Sequence, residues 1–274
     1  MEHVHAHSDL PYSLVVLDID GTLLNSNHML TEYTRQTILT LRKLGVQISL
    51  ATGKLFQSIK PLIQELQMAG PQITCNGAVV ADAQSQNFLQ TFLMQEKSIH
   101  DALTLLSEVN PEIPIGWYTP ESIYTTSINP DFSALLQAYH EPKPLYTQYF
   151  QSLPDPVKIL ITGSEADFGN IRNAAAKRHA FTAQITRTSV DFLEFSEPGV
   201  HKGAALQLIA ETMRIPQQKI IAIGDGENDI SLLQTAGIGV AMANASQEVK
   251  KWATHTALSN DEDGAAKFLA NIFL

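Results

Sequence analysis

Two short apolar runs, LVVL at 14–17 and IIAI at 220–223, lie far apart in the chain and end alike, in turns of aspartate and glycine. An uninterrupted apolar run that stops at acid and glycine suits a strand buried on both faces, with its carboxyl end opening into a loop. Between and after these runs the pattern alternates. Residues 32–44 carry Tyr33, Ile38, Leu41 and Leu44 at helical spacing, and Gly45 stops the helix. The strand VQISLAT (46–52) follows, then a helix over 54–68 interrupted by Pro61, then the strand QITCN (72–76). The same rhythm returns late, as a helix at 202–213, a strand at 219–225, a helix at 228–235, a strand at 238–242 and a helix near 246–252. Strand–helix alternation implies a parallel sheet covered by helices on both faces, and such sheets bind ligands beyond the carboxyl ends of their strands.

The middle of the chain reads differently. A helix at 98–108 leads to IGWYT and SIYTT, a hairpin turning at Pro120-Glu121. After a helix near 131–139 and the stretch EPKPLY come the strand VKILIT, a helix at 165–179, and the strands AQITRT and DFLEF. The expected fold class is therefore α/β: a Rossmann-like, doubly wound parallel-sheet core with an inserted α+β domain. The insert is drawn at 93–190 and the core at 1–92 and 191–274.

Composition narrows the partners. Apolar residues make up 44 % of the 274, enough for a sizeable core, and the formal net charge is −10. That sign disfavours nucleic acid and anionic membrane surfaces. The single cysteine, Cys75, excludes an intrachain disulfide and a multi-cysteine metal site. It reads as a small core residue and fits a reducing compartment. No apolar run approaches the ~20 residues of a membrane span. The opening MEHVHAHSDLPYS lacks the cationic start and apolar stretch of a signal peptide. A cytoplasmic protein is expected, a monomer or small homo-oligomer, with His3, His5 and His7 in a terminal arm.

Three clusters at strand ends carry the chemistry. Asp18-Ile19-Asp20-Gly21-Thr22 sets two carboxylates two residues apart. Close carboxylates repel, so a divalent cation or a shared proton must compensate. Gly224-Asp225-Gly226-Glu227-Asn228-Asp229 places further acids at a second strand end, where Asp229 also fits a plain helix cap. Ala51-Thr52-Gly53-Lys54 joins a hydroxyl and a glycine amide to a helix start, a ready anion site or simply a threonine cap. Lys202 opens a helix, an unfavourable place for a cation unless an anion lies nearby. Each feature alone also fits an ordinary solvated turn or cap. Together they describe a site for a metal-bound phosphate.

DIDGT, ATGK, VHKGAAL and GDGENDI, in this order and spacing, resemble the haloacid dehalogenase superfamily, most closely its Cof-like sugar-phosphatase branch with a type 2 cap. ITCNGAVV (73–80) and DFLEFSEPGVHKG (191–203) resemble segments of the same branch. The resemblance spans nearly the whole chain and is weakest over 93–190. It implies an Mg²⁺-dependent phosphatase of small phosphorylated metabolites, with the insert as a cap. By this resemblance Asp18 is the nucleophile and Asp20 the acid and base. The Ile19 amide, Thr52, Gly53, Lys202 and Asn228 hold phosphate. Asp18, the Asp20 carbonyl and Asp225 hold Mg²⁺, and Asp229 supports them. The family usually has Arg where Lys54 stands, and a lysine supplies charge without a bidentate fork.

Within the cap, Lys54, Trp117, Tyr118, Tyr124 and His140 are candidate substrate contacts, although hairpin alternation puts about half of its aromatics into the interior. A phosphomutase on the same scaffold and a phosphate-responsive binding module are the alternatives. The second acid Asp20 disfavours haloalkanoate chemistry. Lys202→Ala is expected to lose activity with little loss of fold.

Overall fold

The computed structural model describes residues 10–274, so His3, His5 and His7 lie outside the described residues. The chain begins with β1 (Leu14–Leu17), α1 (Glu32–Lys43), β2 (Gln47–Leu50), α2 (Phe56–Glu65), β3 (Pro71–Thr74), β4 (Val79–Asp82) and β5 (Phe88–Thr91). It continues through α3 (Glu96–Val109), β6 (Ile115–Tyr118), β7 (Ile123–Thr125), α4 (Pro130–Ala138), β8 (Leu145–Tyr146), β9 (Lys158–Thr162), α5 (Glu165–Ala176), β10 (Gln184–Arg187) and β11 (Phe192–Ser196). It closes with α6 (Lys202–Met213), β12 (Ile220–Gly224), α7 (Ile230–Thr235), β13 (Ile238–Ala241), α8 (Gln247–Lys250), β14 (His255–Thr256) and α9 (Gly264–Phe273). No helix is long and apolar enough to cross a membrane among the described residues.

Two compact units result. The first comprises the chain up to Thr52, Lys60–Leu89 and His201–Leu274; the second comprises Gly53–Ile59 and Gln90–Val200. The expected junction at residue 191 is displaced, because β11 hydrogen-bonds to both β9 and β10 and carries the second unit on to Val200.

The first unit is built on a parallel sheet of order β14-β13-β12-β1-β2. All four residues of β1 are buried, as a strand covered on both faces requires. Leu14, Val16, Ile220 and Ala222 pack with Leu206 and Ile209 of α6 and Leu232 and Leu233 of α7. Two expectations change here. In α1 the buried stripe is Thr34, Thr37, Ile38 and Leu41, a closed i, i+3, i+4, i+7 set, while Tyr33 and Leu44 face solvent. And β3 does not feed a crossover helix. A left-handed turn at Cys75–Gly77 sends the chain back antiparallel as β4, so β3 starts a separate sheet, β3-β4-β5, joined to the end of β2 by an Ala51–Ile73 bridge.

The second unit has a six-stranded sheet of order β10-β11-β9-β6-β7-β8, antiparallel except at β7–β8. Its core joins Leu105 and Leu106 of α3 and Phe168 and Ile171 of α5 to Ile159, Ile161, Leu193 and Phe195 of the sheet.

Candidate active site

Sheet register brings the clusters to one edge. Leu17 lies opposite Leu50 on one side and Ile223 on the other. Asp18, Ala51-Thr52 and Gly224-Asp225 therefore leave the sheet at the same level. Beyond Asp18 the chain winds about the Ile19 carbonyl, which accepts from the amides of Leu23 and Leu24 at 3.0 and 2.9 Å. Gly21 has φ +82°, and a Cβ there would lie 2.4 Å from Asp225 Oδ2. Only glycine lets the two acidic loops close on each other.

Lys202, the first residue of α6, is wholly buried. Its Nζ donates to Asp18 Oδ1 at 2.7 Å and to Asp229 Oδ1 at 2.6 Å. Those two carboxylates are the anions that make a helix start tolerable for a lysine. A Cβ at Gly203 would sit 2.3 Å from the Ser231 carbonyl, so glycine allows the close approach of α6 to α7 that seats Lys202. Asp229 is both cap and ion-pair partner: Oδ1 takes Lys202, while Oδ2 accepts from the amides of Asp225 and Gly226 at 3.0 and 2.9 Å.

Several partners carried no signal that singled them out in the sequence. Thr22 Oγ1 donates to Asp225 Oδ1 at 2.9 Å. Asn244 Nδ2 donates to the Gly21 carbonyl at 2.9 Å and reaches Asp225 Oδ2 at 3.4 Å. His28 Nδ1 lies 3.3 Å from Asp20 Oδ1. Asn228 Nδ2 donates to Asn76 Oδ1 at 2.9 Å, and the Asn76 amide donates to the Thr52 carbonyl, also at 2.9 Å. For Asn76 the Asn-Gly turn signal was available.

The charges do not balance. Asp18, Asp225 and Asp229 bring carboxylate oxygens within 4.8 Å of one another around one lysine. Burial, reinforced by the Asp229 charge, pushes Asp18 well above the usual carboxylate range against the pull of Lys202. Burial and Asp229 push Asp225 up to about 7. Burial disfavours the Lys202 ammonium, but Asp18 and Asp229 outweigh it and hold the group above the ordinary lysine range. An all-oxygen donor set with surplus negative charge suits a hard divalent cation. All three carboxylates lie close enough to share one ion, and Asp229 also braces Lys202 and the amides of Asp225 and Gly226. Asp20, with 28 % of its side chain exposed, is more open to solvent than Asp18.

A family model described as haloacid dehalogenase-like hydrolase matches residues 15–269. The chain belongs to that family. This haloacid dehalogenase-like hydrolase is 29 % identical over 278 residues to the 5-amino-6-(5-phospho-D-ribitylamino)uracil phosphatase YitU of Bacillus subtilis (strain 168), covering 96 % of this chain and 98 % of that one. It is 28 % identical over 285 residues to the phosphatase YwpJ of the same organism, covering 94 % and 99 %. A haloacid dehalogenase-like hydrolase from Bacteroides thetaiotaomicron superposes with a TM-score of 0.83 at 29 % identity, covering 96 % of this chain and all of that one.

The hydrolase's remaining predicted site residues fall in the second unit. Lys54 is buried; its Nζ donates to the Tyr139 carbonyl at 2.7 Å and lies 5.7 Å from that ring's centroid. The Gly53 carbonyl accepts from Lys158 at 2.7 Å. Trp117 is corrected to an interior residue. It is 4 % exposed, stacks on Phe150 at 5.0 Å, and its Nε1 donates to the Pro154 carbonyl at 3.0 Å. Tyr118 is fully buried, with the Lys158 ammonium 4.4 Å from its ring centroid. Tyr124, opposite Trp117 across the hairpin, packs against the same core. Both rings at that pair are turned toward the interior, Tyr124 remaining half-buried, while His140, two residues past α4, is exposed.

Proposed function

We propose that this hydrolase is a phosphatase of small phosphorylated metabolites that works with Mg²⁺ through an aspartyl-phosphate intermediate on Asp18. The observation that carries the reading is Lys202, buried between Asp18 and Asp229 at the edge where Asp225 also converges. The named activities of YitU and YwpJ and the family membership support it. The phosphorylated ribityl chain in YitU's name points to the substrate class, a phosphate monoester on a small polyol or sugar-like group. The surplus of acid and the single cysteine fit a cytoplasmic enzyme of metabolites.

In this reading Lys202 fixes Asp18 Oδ1, and Oδ2 attacks phosphorus as the bond to the leaving oxygen breaks. Asp20 gives that oxygen its proton. It then takes a proton from the water that attacks the acyl phosphate, and inorganic phosphate leaves. The Ile19 amide, the Thr52 hydroxyl and the Asn228 amide hold the phosphoryl oxygens in line. Asp18, Asp225 and the Asp20 carbonyl would hold Mg²⁺, which supplies positive charge against the spreading negative charge of transfer.

Inorganic phosphate release from p-nitrophenyl phosphate and a panel of sugar and polyol phosphates tests the reading. It is run with Mg²⁺ and with chelator, for wild type and Asp18→Asn. Release that requires Mg²⁺ and falls at least ~10³-fold in Asp18→Asn is expected. Retained turnover in Asp18→Asn overturns the nucleophile, and a silent panel with tight phosphate binding favours a binding module.

A further inference from the structure

Cys75, Asn76 and Gly77 form a run of three positive φ values, 49°, 56° and 98°. Two of them belong to residues with a Cβ. Left-handed backbone is uncommon outside glycine and persists where the surroundings dictate it, often at functional sites. Here three neighbours dictate it. On the first side, the Asn76 amide donates to the Thr52 carbonyl at 2.9 Å, and the Thr52 amide donates to the Ile73 carbonyl at 2.9 Å. On the second, a Cβ at Gly77 would lie 2.4 Å from the His201 carbonyl, so the turn is pressed against the residue that precedes Lys202. On the third, Asn76 Oδ1 accepts from Asn228 Nδ2 at 2.9 Å. The turn thus touches the Thr52 loop, the start of α6 and the Asn228 loop, and a right-handed turn would lose these contacts.

The Asn228 amide is held at its nitrogen end by Asn76, and glycine at 226 makes room for its oxygen. Its Oδ1 lies over Gly226, where a Cβ would come within 2.4 Å, and one Nδ2 hydrogen is spent on Asn76. The second Nδ2 hydrogen is the one left to donate to a ligand, in a direction set by Asn76. We infer that Asn76 is a positioning residue for phosphate: its side chain aims the Asn228 amide, and its peptide holds Thr52 in place. The role rests on the phosphatase reading of this site and assigns work to a residue that reading does not use.

The test is a double-mutant cycle of Asn76→Gly and Asn228→Ala. Glycine suits φ 56° and keeps the backbone hydrogen bond to Thr52, so Asn76→Gly removes the side-chain link to Asn228 while leaving that backbone contact in place. Turnover of p-nitrophenyl phosphate and calorimetric binding of inorganic phosphate are both measured with Mg²⁺. Asn76→Gly is expected to melt at or above the wild-type temperature and to lose about tenfold in kcat/KM and in phosphate affinity. The double variant is expected to match Asn228→Ala within about twofold. Asn76→Asp, which again accepts from Asn228 and tolerates the left-handed backbone, should recover kcat while its charge raises KM.

Losses that add in the double variant, or an Asn76→Gly enzyme equal to wild type in both readouts, overturn the positioning role. So does a lowered melting temperature with unchanged phosphate affinity. Wild-type protein that neither turns over nor binds phosphate overturns the phosphatase reading itself, and the positioning role falls with it.

Discussion

Lys202 in the first unit and Lys158 in the second are both buried lysines held by carboxylates, yet their surroundings differ in balance. Lys158 donates to Glu194 Oε1 at 2.6 Å and to the Gly53 carbonyl at 2.7 Å, and Glu194 also takes the Thr188 hydroxyl at 3.2 Å. Glu141 accepts from Ser58 Oγ at 2.5 Å and from the Leu55 amide; burial raises its carboxyl while Lys158 and Lys54 oppose. Two lysines there meet two glutamates. Around Lys202 three aspartates meet one lysine, and two of them are driven upward. A neutral buried network is complete in itself and reads as architecture. A buried surplus of one sign is completed only by something from outside, and reads as a site.

The largest expected effect breaks the Lys202 setting. Lys202→Ala leaves Asp18 and Asp229 buried without their cation, so the small loss of fold expected from sequence becomes about 3–5 kcal/mol at neutral pH in urea unfolding. Phosphate release should fall at least ~10²-fold. A variant as stable as wild type would mean that Lys202 is not balancing buried charge here. Next comes Lys158→Met, expected to cost about 3 kcal/mol because buried Glu194 loses its cation. In Lys158→Met/Glu194→Leu, at least half of that stability should return. No recovery would show that the Lys158 network is not a balanced pair, and the contrast between the units would fail.

The core was legible because its signals are local and one-dimensional. An apolar run ending in Asp-Ile-Asp-Gly fixes both a strand and its functional end, and a second such run fixes its neighbour, so Asp18 and Asp225 could be placed together before any register was known. What register alone supplies was hidden: Thr22 and Asn244 on Asp225, and Asn76 on Asn228, join residues far apart in the chain. In the insert, Trp117 was misplaced for a physical reason. Alternation presumes one solvent-facing side, but β6 is buried on both: Trp117 stacks on Phe150 while the adjacent Tyr118 is fully buried on the opposite face. Tyr33 was misassigned because α1 buries Thr34 and Thr37 instead; the Thr34 hydroxyl and that of the capping Thr31 bond Asp263 Oδ1 at 3.0 and 2.5 Å.

A smaller effect sharpens the surplus itself. Asp225 loses its proton near pH 7 in the fold but near 3.8 as a free group. Between those values the folded chain holds a proton that the unfolded chain has released, so this group's contribution to metal-free stability falls as pH rises through the window and levels off above it. Mg²⁺ competes with that proton. The rise in melting temperature produced by Mg²⁺ should therefore grow between about pH 5.5 and about pH 7.5. An increment independent of pH would remove Asp225 from the cation site.

The smallest effect belongs to one hydroxyl. Thr22 Oγ1 donates to Asp225 Oδ1 and is among the groups that draw this carboxyl back down. In Thr22→Val the bond is gone, Asp225 keeps its proton to higher pH, and Mg²⁺ affinity at neutral pH should fall about three- to tenfold. Raising the pH above 8 should close most of that gap, since the proton is then lost in both proteins. Thr188→Val removes the matching hydroxyl from Glu194 in the balanced network and should leave Mg²⁺ affinity unchanged at every pH. A gap in Thr22→Val that persists at high pH would mean the hydroxyl orients Asp225 rather than stabilising its charge. Control of Asp225 would then lie in geometry, with Asn244 as its second contact.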